Sequence, residues 1–350
     1  MWWKRSGSKK YPGPSCAVWE ITLACNLNCI HCGSAAGKKR DDELSIEEAL
    51  KLCEDLRGIG CQGVALMGGE PLLRPDWIEI SQRVHELDMD LSIITNGWLG
   101  QDEKTTQKIV ELAPECVTIS LDGGEASVHD MIRGVEGSFD RATKAIDRYS
   151  GLGLPTSVIT TVHKLNLKQL VKVRDLLRGK GVAWQIQMAT PYGRLERRQV
   201  LSQEEYYSVA LFIAATRKRF SKEIMVAGAH DMGYFSPILP ELQVKEWQGC
   251  QAGISTLGIQ SNGNVLGCLA LPDEFIEGNI RNRTLSDIWY DENTCKYSRH
   301  FKSSEIKAHC GRCEYKMQCG GGCSAVSVSM SGDLHQDPYC CRHIEQSMKA

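Results

Sequence analysis

The sequence lacks the features of several large protein classes. Its 41 Lys and Arg residues nearly balance its 43 Asp and Glu residues, so no basic excess indicates a nucleic-acid or anionic-membrane partner. The longest mostly apolar run, residues 206–215, is shorter than the ~18 residues that a membrane span requires. The basic amino terminus has no apolar stretch behind it, as a secretory signal would. These absences predict a cytoplasmic protein that binds neither nucleic acid nor membrane.

Cysteine is the unusual component of the composition. Sixteen cysteines in 350 residues fall below the roughly 8–10% of a disulfide scaffold, and a cytoplasmic protein is kept reduced. The thiols are also clustered, with three between residues 25 and 32 and six between residues 310 and 341. Clustered thiols in a reducing compartment indicate metal ligands or redox groups.

The first two thirds of the chain alternate strand and helix patterns. Strands are predicted at 17–23, 63–67, 91–95, 117–121, 156–162 and 183–188. Helices are predicted at 76–87, 103–112, 139–149 and 167–177, and after a capping box at Ser45 and Glu48 that places Ile46, Ala49, Leu50 and Cys53 on one face. Six such units predict an α/β fold with a parallel sheet in a partial (β/α)6 barrel, its chemistry at the carboxyl ends of the strands.

The chain is long enough for two domains. We expect an amino-terminal extension over 1–14, the barrel over 15–223, a linker over 224–246 rich in Gly and Pro, and a small irregular Cys-rich domain over 247–350. The last segment has little periodicity, and metal clusters are the staples that such a segment needs.

Three cysteines follow the first predicted strand. Cys25, Cys29 and Cys32 are separated by three and then two residues, which lets their sulfurs turn toward one centre. Iron–sulfur cubes normally take four thiolates, so three would leave one iron open to a small molecule. A structural zinc site is the alternative, although His31 is awkwardly placed to be its fourth ligand.

A second motif follows the second strand, at Gly68, Gly69 and Glu70. Two glycines at a strand end expose backbone to a ligand, and the glutamate can accept hydrogen bonds from an ammonium group. The motif is a common turn in isolation, but here it follows the strand after the cysteine loop.

The pair of motifs resembles the radical S-adenosylmethionine (SAM) superfamily. The resemblance implies that Cys25, Cys29 and Cys32 hold a [4Fe–4S] cluster whose open iron binds SAM, with the amino end of SAM held by Gly68, Gly69 and Glu70. Further SAM-site candidates follow strands three and four: Asn96, Ser120, Asp122 and Arg133. For Asn96, Asp122 and Arg133, a turn or a surface ion pair is an equally good interpretation.

The carboxyl-terminal cysteines resemble the SPASM extension of the same superfamily. Its pattern is filled by Cys250, Gly263, Cys268, Cys310, Cys313, Cys319, Cys323 and a final cysteine. A zinc ribbon would explain only four of the seven. The resemblance implies two auxiliary [4Fe–4S] clusters, one held by Cys310, Cys313, Cys319 and a terminal cysteine, for which we favour Cys340 over Cys341. The other would use Cys250, Cys268 and Cys323, completed by an open iron, a non-cysteine ligand or Cys295.

The resemblance also implies the chemistry. An electron from reduced flavodoxin or ferredoxin would lead to cleavage of SAM into methionine and a 5′-deoxyadenosyl radical, which abstracts hydrogen from an unactivated carbon in an oxygen-sensitive, oxidative reaction. A peptide or protein side chain is the leading substrate, and decarboxylation of tetrapyrrole propionates is the alternative. Only about fourteen residues precede the first strand, so peptide recognition would use another surface or a separate protein. Leu269 stands where sulfatase-maturing relatives carry an acidic base, which disfavours formylglycine formation.

Two further expectations concern the loop beyond the last predicted barrel strand and a competing class of protein. Residues 188–194, beyond the last predicted barrel strand, would line the substrate mouth, where Arg194, Arg197 and Arg198 would either meet substrate carboxylates or form a solvated basic turn. A non-catalytic iron–sulfur electron carrier is the competing class, but it would need neither the Gly-Gly-Glu motif nor an open cluster.

Overall fold

The computed structural model describes residues 12–229, 232, 234–242 and 248–348. The strands are β1 Cys16–Thr22, β2 Gly63–Gly68, β3 Asp90–Thr95, β4 Cys116–Ser120, β5 Thr156–Val162, β6 Ala183–Met188, β7 Met225–Gly228, β8 Thr256–Ile259, β9 Asn264–Leu266 and β10 Gly278–Asn279. The helices are α1 Ile46–Gly58, α2 Trp77–Glu86, α3 Glu103–Leu112, α4 Ala126–Arg133, α5 Ser138–Gly151, α6 Leu170–Leu177, α7 Gln203–Phe220, α8 Leu285–Tyr290, α9 Lys296–Arg299, α10 Lys316–Cys319, α11 Ser324–Ser331 and α12 Cys341–Ser347.

All the strands belong to one sheet, in the order β10-β9-β8-β1-β2-β3-β4-β5-β6-β7. In this order, every neighbouring pair from β8 through β1 to β7 is parallel. At the other edge, β9 pairs antiparallel with both β8 and β10. Helices follow β2 to β6 in sequence, as crossover connections between parallel strands require. This architecture confirms the predicted α/β class.

Alternation along the strands separates a helix-covered face from an inner face. In β5, Val158, Thr160 and Val162 are fully buried, and the alternate residues Ser157, Ile159 and Thr161 are half-buried. Because successive side chains point to opposite faces of a sheet, Ser157, Ile159 and Thr161 belong to the inner face. The same pattern in β4 and β6 assigns the inner face a row of polar, uncharged side chains.

The predicted helices are present, with small differences in their ends. The capping box before α1 is formed as expected, since Ser45 accepts from the backbone N–H of Glu48 and the Glu48 side chain accepts from that of Ser45. The buried face of α1 contains Leu52 and Leu56 rather than the expected Leu50. The segment predicted over 167–177 begins as a 3₁₀ turn and becomes helical only at Leu170.

Two features of the sheet were not expected. The alternation continues past residue 224, because β7 extends the parallel sheet beside β6. The carboxyl-terminal region also joins the sheet, with β8 pairing in parallel with β1 from Cys16 to Trp19. The Cys-rich region is therefore irregular, as predicted, but it shares the sheet of the barrel.

The domain boundaries at 14, 223 and 246 stay predictions. Residues 1–11 of the expected extension, residues 230, 231, 233 and 243–246 of the expected linker, and residues 247, 349 and 350 of the expected Cys-rich domain lie outside the described residues. Among the described residues, no helix has both the length and the apolar character needed to cross a membrane.

Candidate functional site

The three-cysteine loop begins directly after β1, at the carboxyl edge of the parallel strands. Each of its thiols lies near one hydrogen-bond donor. The Leu27 N–H is 3.5 Å from the Cys25 sulfur, the Ala36 N–H is 3.4 Å from the Cys32 sulfur, and a guanidinium nitrogen of Arg133 is 3.7 Å from the Cys29 sulfur. Donors aimed at sulfur favour the thiolate, which is the form that binds metal.

Gly68 and Gly69 lie against the backbone that leads into this loop. A Cβ at Gly68 would lie 2.2 Å from the Thr22 oxygen, and one at Gly69 would lie 2.3 Å from the Ala24 oxygen. The backbone N–H groups of Gly69 and Glu70 donate to those same carbonyls, each at 2.8 Å. The two glycines are thus required where β2 meets the start of the loop, whatever ligand they also contact.

Glu70 is fully buried, and its carboxylate accepts three hydrogen bonds. The backbone N–H of Asn96 donates at 2.7 Å, the Thr95 hydroxyl at 2.8 Å and the backbone N–H of Leu72 at 3.3 Å. Burial raises the pKa of Glu70 to about 7 despite these donors. The Asn96 side chain reaches into the cysteine loop and donates to the Asn26 side chain at 2.8 Å. The second and third strands thus place Glu70 and Asn96 together beside the loop.

Asp122 and Arg133 form a buried ion pair, not a surface one. The carboxylate of Asp122 lies 2.7 Å from the guanidinium of Arg133 and 3.3 Å from Nε2 of His31. Burial alone would raise the pKa of Asp122, but the charge of Arg133 and the neighbouring imidazoles lower it below its ordinary value. Burial lowers the pKa of His31 to about 4, so its imidazole is neutral. Ser120 ends β4 two residues earlier, on the same inner face as Asp122.

Several buried polar atoms around this pair have no hydrogen-bond partner among the described residues. They are Nε of Arg133, Nδ1 of His31 and Nε2 of His163, and the rings of His31 and His163 are centred 5.5 Å apart. Nδ1 of His163 already accepts from the Leu165 N–H, which leaves a proton on Nε2. Nε2 of His31 faces the Asp122 carboxylate and carries the proton, so Nδ1 of His31 is an acceptor. Buried donors and acceptors without a partner are costly, so these atoms favour a polar ligand beside the thiols. Three thiols with such neighbours fit a cluster that binds SAM.

Four of the carboxyl-terminal cysteines line one cavity of about 690 Å³. They are Cys310, Cys313, Cys319 and Cys340, the set expected for one auxiliary cluster. Cys341 does not line it. Its side chain is 1% exposed, belongs to the main hydrophobic core and lies 3.9 Å from the Tyr206 hydroxyl. The sulfur set of this cavity fits a [4Fe–4S] cluster.

Cys250, Cys268 and Cys323 also lie close together. All three pack against the small core formed by Ala252, Leu266, Leu271 and Ala325. A hydrogen bond with Cys323 lowers the pKa of Cys250 to about 6. Cys295 is buried nearby, with its sulfur 3.7 Å from the Tyr297 hydroxyl. Among the described residues, no three His, Cys, Asp or Glu side chains converge on a single metal ion.

The three arginines of the loop after β6 all have partners within the protein. Arg194 donates to the Cys29 oxygen and the Ala36 oxygen, both at 2.8 Å. Arg197 donates to the Met330 oxygen at 2.7 Å, and Arg198 pairs with Glu196. Nε and Nη1 of Arg194 are engaged by backbone oxygens of the cysteine loop, and Arg198 is an exposed side chain, as a solvated turn would have. A contact of these arginines with substrate carboxylates stays a prediction.

The fold and the thiol sets together define an α/β iron–sulfur protein, and comparison with known proteins specifies it further. The model of the radical SAM superfamily matches residues 19–177, and the SPASM model, described as an iron-sulfur cluster-binding domain, matches residues 250–314. This chain belongs to the radical SAM superfamily and is an enzyme of the group with a carboxyl-terminal SPASM domain. Iron–sulfur clusters and SAM binding follow from these domains.

The relatives of this chain are named for more than one activity. It is 31% identical to an AdoMet-dependent heme synthase of Methanosarcina barkeri over 343 residues, covering 93% of this chain and 96% of that protein. It is 29% identical to the mycofactocin maturase MftC of Mycobacterium ulcerans, covering 93% and 88%. Its fold is similar to that of Streptococcus suis SuiB bound to S-adenosylmethionine, with a TM-score of 0.76, 21% identity, and 93% and 77% coverage.

Sequence reasoning missed the contact of Arg194 with the cysteine loop, the His31–His163 pair and the polar inner face. The one available signal was His31 between two cysteines, which was considered only as a zinc ligand. The partners of Arg194 are more than 150 residues away along the chain, so no local pattern reveals them.

Proposed function

We propose that the chain is an oxidative radical SAM enzyme that modifies a peptide or protein side chain. When bound to Cys25, Cys29 and Cys32, the iron–sulfur cluster with SAM supplies a radical that removes a hydrogen atom from the substrate. The observation that carries this proposal is the meeting of these thiols with Glu70 and Asn96 at one edge of the parallel strands. An electron carrier would need neither side chain there.

Each residue around the three-cysteine loop has its own role in the proposed function. The buried carboxylate of Glu70 accepts from the ammonium group of SAM, while its backbone donors hold it in place. Asn96 ties the strand after Glu70 to the loop. Arg133 donates toward the Cys29 sulfur, and Asp122 balances its charge. Ser120 and the imidazole N–H of His163, which has no partner among the described residues, would be available to the remaining polar groups of SAM.

The inner face of the sheet supports a peptide substrate. Ser157 and Thr118 are hydrogen-bonded at 2.7 Å, and the Gln187 side chain donates to the Thr161 hydroxyl at 2.8 Å. Hydroxyl and carboxamide groups pair with amides, whereas a polycarboxylate substrate needs cations. The inner-face positions of β4 to β6 are neutral. Reduced flavodoxin or ferredoxin is the proposed electron donor, and a separate protein is proposed to present the peptide.

The tetrapyrrole alternative is kept because one observation favours it. The heme synthase relative aligns over nearly the whole of both chains, at 31% identity. In that alternative the enzyme would decarboxylate propionate side chains, and its cations would come from loops rather than from strands.

Anaerobic protein with reconstituted clusters, dithionite and SAM should release 5′-deoxyadenosine, and a variant with Cys25, Cys29 and Cys32 replaced by alanine should release none. Equal product from both proteins, or product from neither, would overturn the proposed chemistry. The substrate is tested by adding either a short peptide encoded beside the gene or an iron coproporphyrin. The true substrate raises the yield of 5′-deoxyadenosine and itself changes in mass, by loss of CO2 and two hydrogen atoms per propionate for the tetrapyrrole.

A further inference from the structure

The loop after β6 is attached to the three-cysteine loop by a set of hydrogen bonds from one residue. The Arg194 backbone N–H donates to the Cys32 oxygen at 3.0 Å, and its side chain donates to the Cys29 and Ala36 oxygens at 2.8 Å each. One residue from the far side of the barrel thus fixes three points of a loop that otherwise has little regular structure.

Two of these three points lie next to a sulfur. Ala36, whose oxygen accepts from Arg194, donates its own N–H to the Cys32 sulfur at 3.4 Å. The Cys29 oxygen belongs to the residue whose thiol faces Arg133. Displacing either carbonyl would therefore change the direction of a predicted ligand sulfur or the donor that faces it.

Gly193 brings the two loops into direct backbone contact. A Cβ at this position would lie 2.2 Å from both the Cys32 oxygen and the Gly33 oxygen, and its φ of +65° also favours glycine. The preceding Tyr192 side chain lies 3.6 Å from the place where a Gly33 Cβ would be. This close approach is what allows Arg194 to reach across the cysteine loop.

The charge of Arg194 also suits this place. Among the described residues its guanidinium has no carboxylate partner, since its two hydrogen bonds both go to backbone oxygens. Three thiolates on an iron–sulfur cube bring negative charge to the loop, and a half-buried guanidinium beside them offsets part of it.

We propose that Arg194 is a positioning residue for the cluster that binds SAM: it holds the three-cysteine loop in the ligating conformation and supplies a compensating charge. The proposal rests on the proposed function only in taking Cys25, Cys29 and Cys32 as cluster ligands. It assigns Arg194 no contact with SAM or substrate.

The test measures the stability of the cluster, not turnover. Arg194→Ala and Arg194→Lys are reconstituted anaerobically and compared with Arg197→Ala, which removes another arginine of the same loop whose bond goes to the Met330 oxygen. Iron released to a chelator is followed with time. A variant lacking Cys25, Cys29 and Cys32 reports the auxiliary clusters alone, and subtracting its trace isolates the first cluster.

Arg194→Ala should lose the first cluster about tenfold faster than the wild type, the effect of removing hydrogen bonds from a charged donor. Arg194→Lys, which keeps the charge but not the planar fork, should lie between the two. Arg197→Ala should match the wild type. The auxiliary trace and the unfolding temperature should not change, which separates a local effect from misfolding.

Equal first-cluster release from wild type and Arg194→Ala overturns the proposal, as does parallel loss of the first and auxiliary clusters. Because neither SAM nor substrate is present, these results do not depend on the reaction. A chain that keeps its cluster but never cleaves SAM would contradict the proposed function and leave the role of Arg194 intact.

Discussion

Replacing Asp122 by asparagine should destabilise the protein more than its single lost charge would suggest. Asp122 is fully buried, and its partner Arg133 is 9% exposed, so the guanidinium would lose its carboxylate counter-ion in a dry site and keep only the Cys29 sulfur, 3.7 Å away. The carboxamide can still accept from the Thr161 N–H, as Oδ1 does at 2.9 Å, but its NH2 group would then face the donors of Arg133.

The size of the effect follows from that burial. Breaking one partner of a buried ion pair costs about 3–5 kcal/mol, whereas exposed pairs contribute far less. For a chain of this length, that cost lowers the unfolding temperature by about 4–7 °C. The matched control is Asp147→Asn, which breaks an exposed pair with Lys180 and should leave the unfolding temperature unchanged.

The assay is anaerobic thermal unfolding of the cluster-loaded protein, followed by circular dichroism. A double variant, Asp122→Asn with Arg133→Met, removes both charges and should unfold at a higher temperature than Asp122→Asn alone, because no unpaired charge remains. The reasoning fails if Asp122→Asn unfolds within about 1 °C of the wild type. It also fails if the losses of the two single variants simply add in the double variant.

Three further predictions concern the site. Because burial raises the pKa of Glu70 to about 7, lowering the pH from about 8 to about 6 protonates it and should weaken SAM binding about tenfold in equilibrium dialysis. Glu70→Gln should bind SAM weakly at both pH values. If SAM binding by Glu70→Gln depends on pH as steeply as binding by the wild type, Glu70 does not have this role. Cys340→Ala should lose about four of about twelve irons by elemental analysis, whereas Cys341→Ala should keep them and unfold at lower temperature; the reverse result would exchange their roles. Gly69→Ala should abolish retention of the first cluster, since its Cβ would lie 2.3 Å from a carbonyl oxygen, while Gly37→Ala, with nothing within 4 Å, should retain it.

The sequence was sufficient to predict most of the parallel strands because short runs of apolar and β-branched residues alternate with amphipathic helical segments. Two of the six predicted strands have their predicted ends, at 156–162 and 183–188. Two others differ by one residue at one end, and the first and fourth are shifted by one residue at both ends. The seventh strand, Met225–Gly228, has only four residues and lies among Gly and Pro signals that indicate loops. A strand this short carries too little alternation to be distinguished from a turn.

The candidate site, like the fold, could be predicted only in part. Cysteine spacing identified the thiols because ligands for one centre are close in sequence within each loop. What orients them is distant in sequence: Arg133 is 104 residues from Cys29, and Arg194 is 165 residues from it. Such pairs are created by the order of the strands, and a single sequence has no pattern that encodes the contact.

The pairing of β8 with β1 places the predicted clusters at opposite edges of one sheet. The strands are parallel, with Cys16 beside Thr256 and Trp19 beside Ile259, so the three-cysteine loop leaves the carboxyl edge. Cys250 precedes β8, and β9 returns antiparallel before Cys268, which puts both near the amino edge.

In the proposed function, a substrate on the inner face would lie between the three-cysteine loop and the pair Cys250 and Cys268. In an oxidative reaction, a hydrogen atom is removed at one end of the substrate site and the remaining electron must leave by another route. The β1–β8 pairing holds the strands that flank Cys250 and Cys268 against the strand that precedes the three-cysteine loop, so the relative placement of these thiols does not depend on a linker. Weakening the β1–β8 pairing should thus impair product formation more than SAM cleavage.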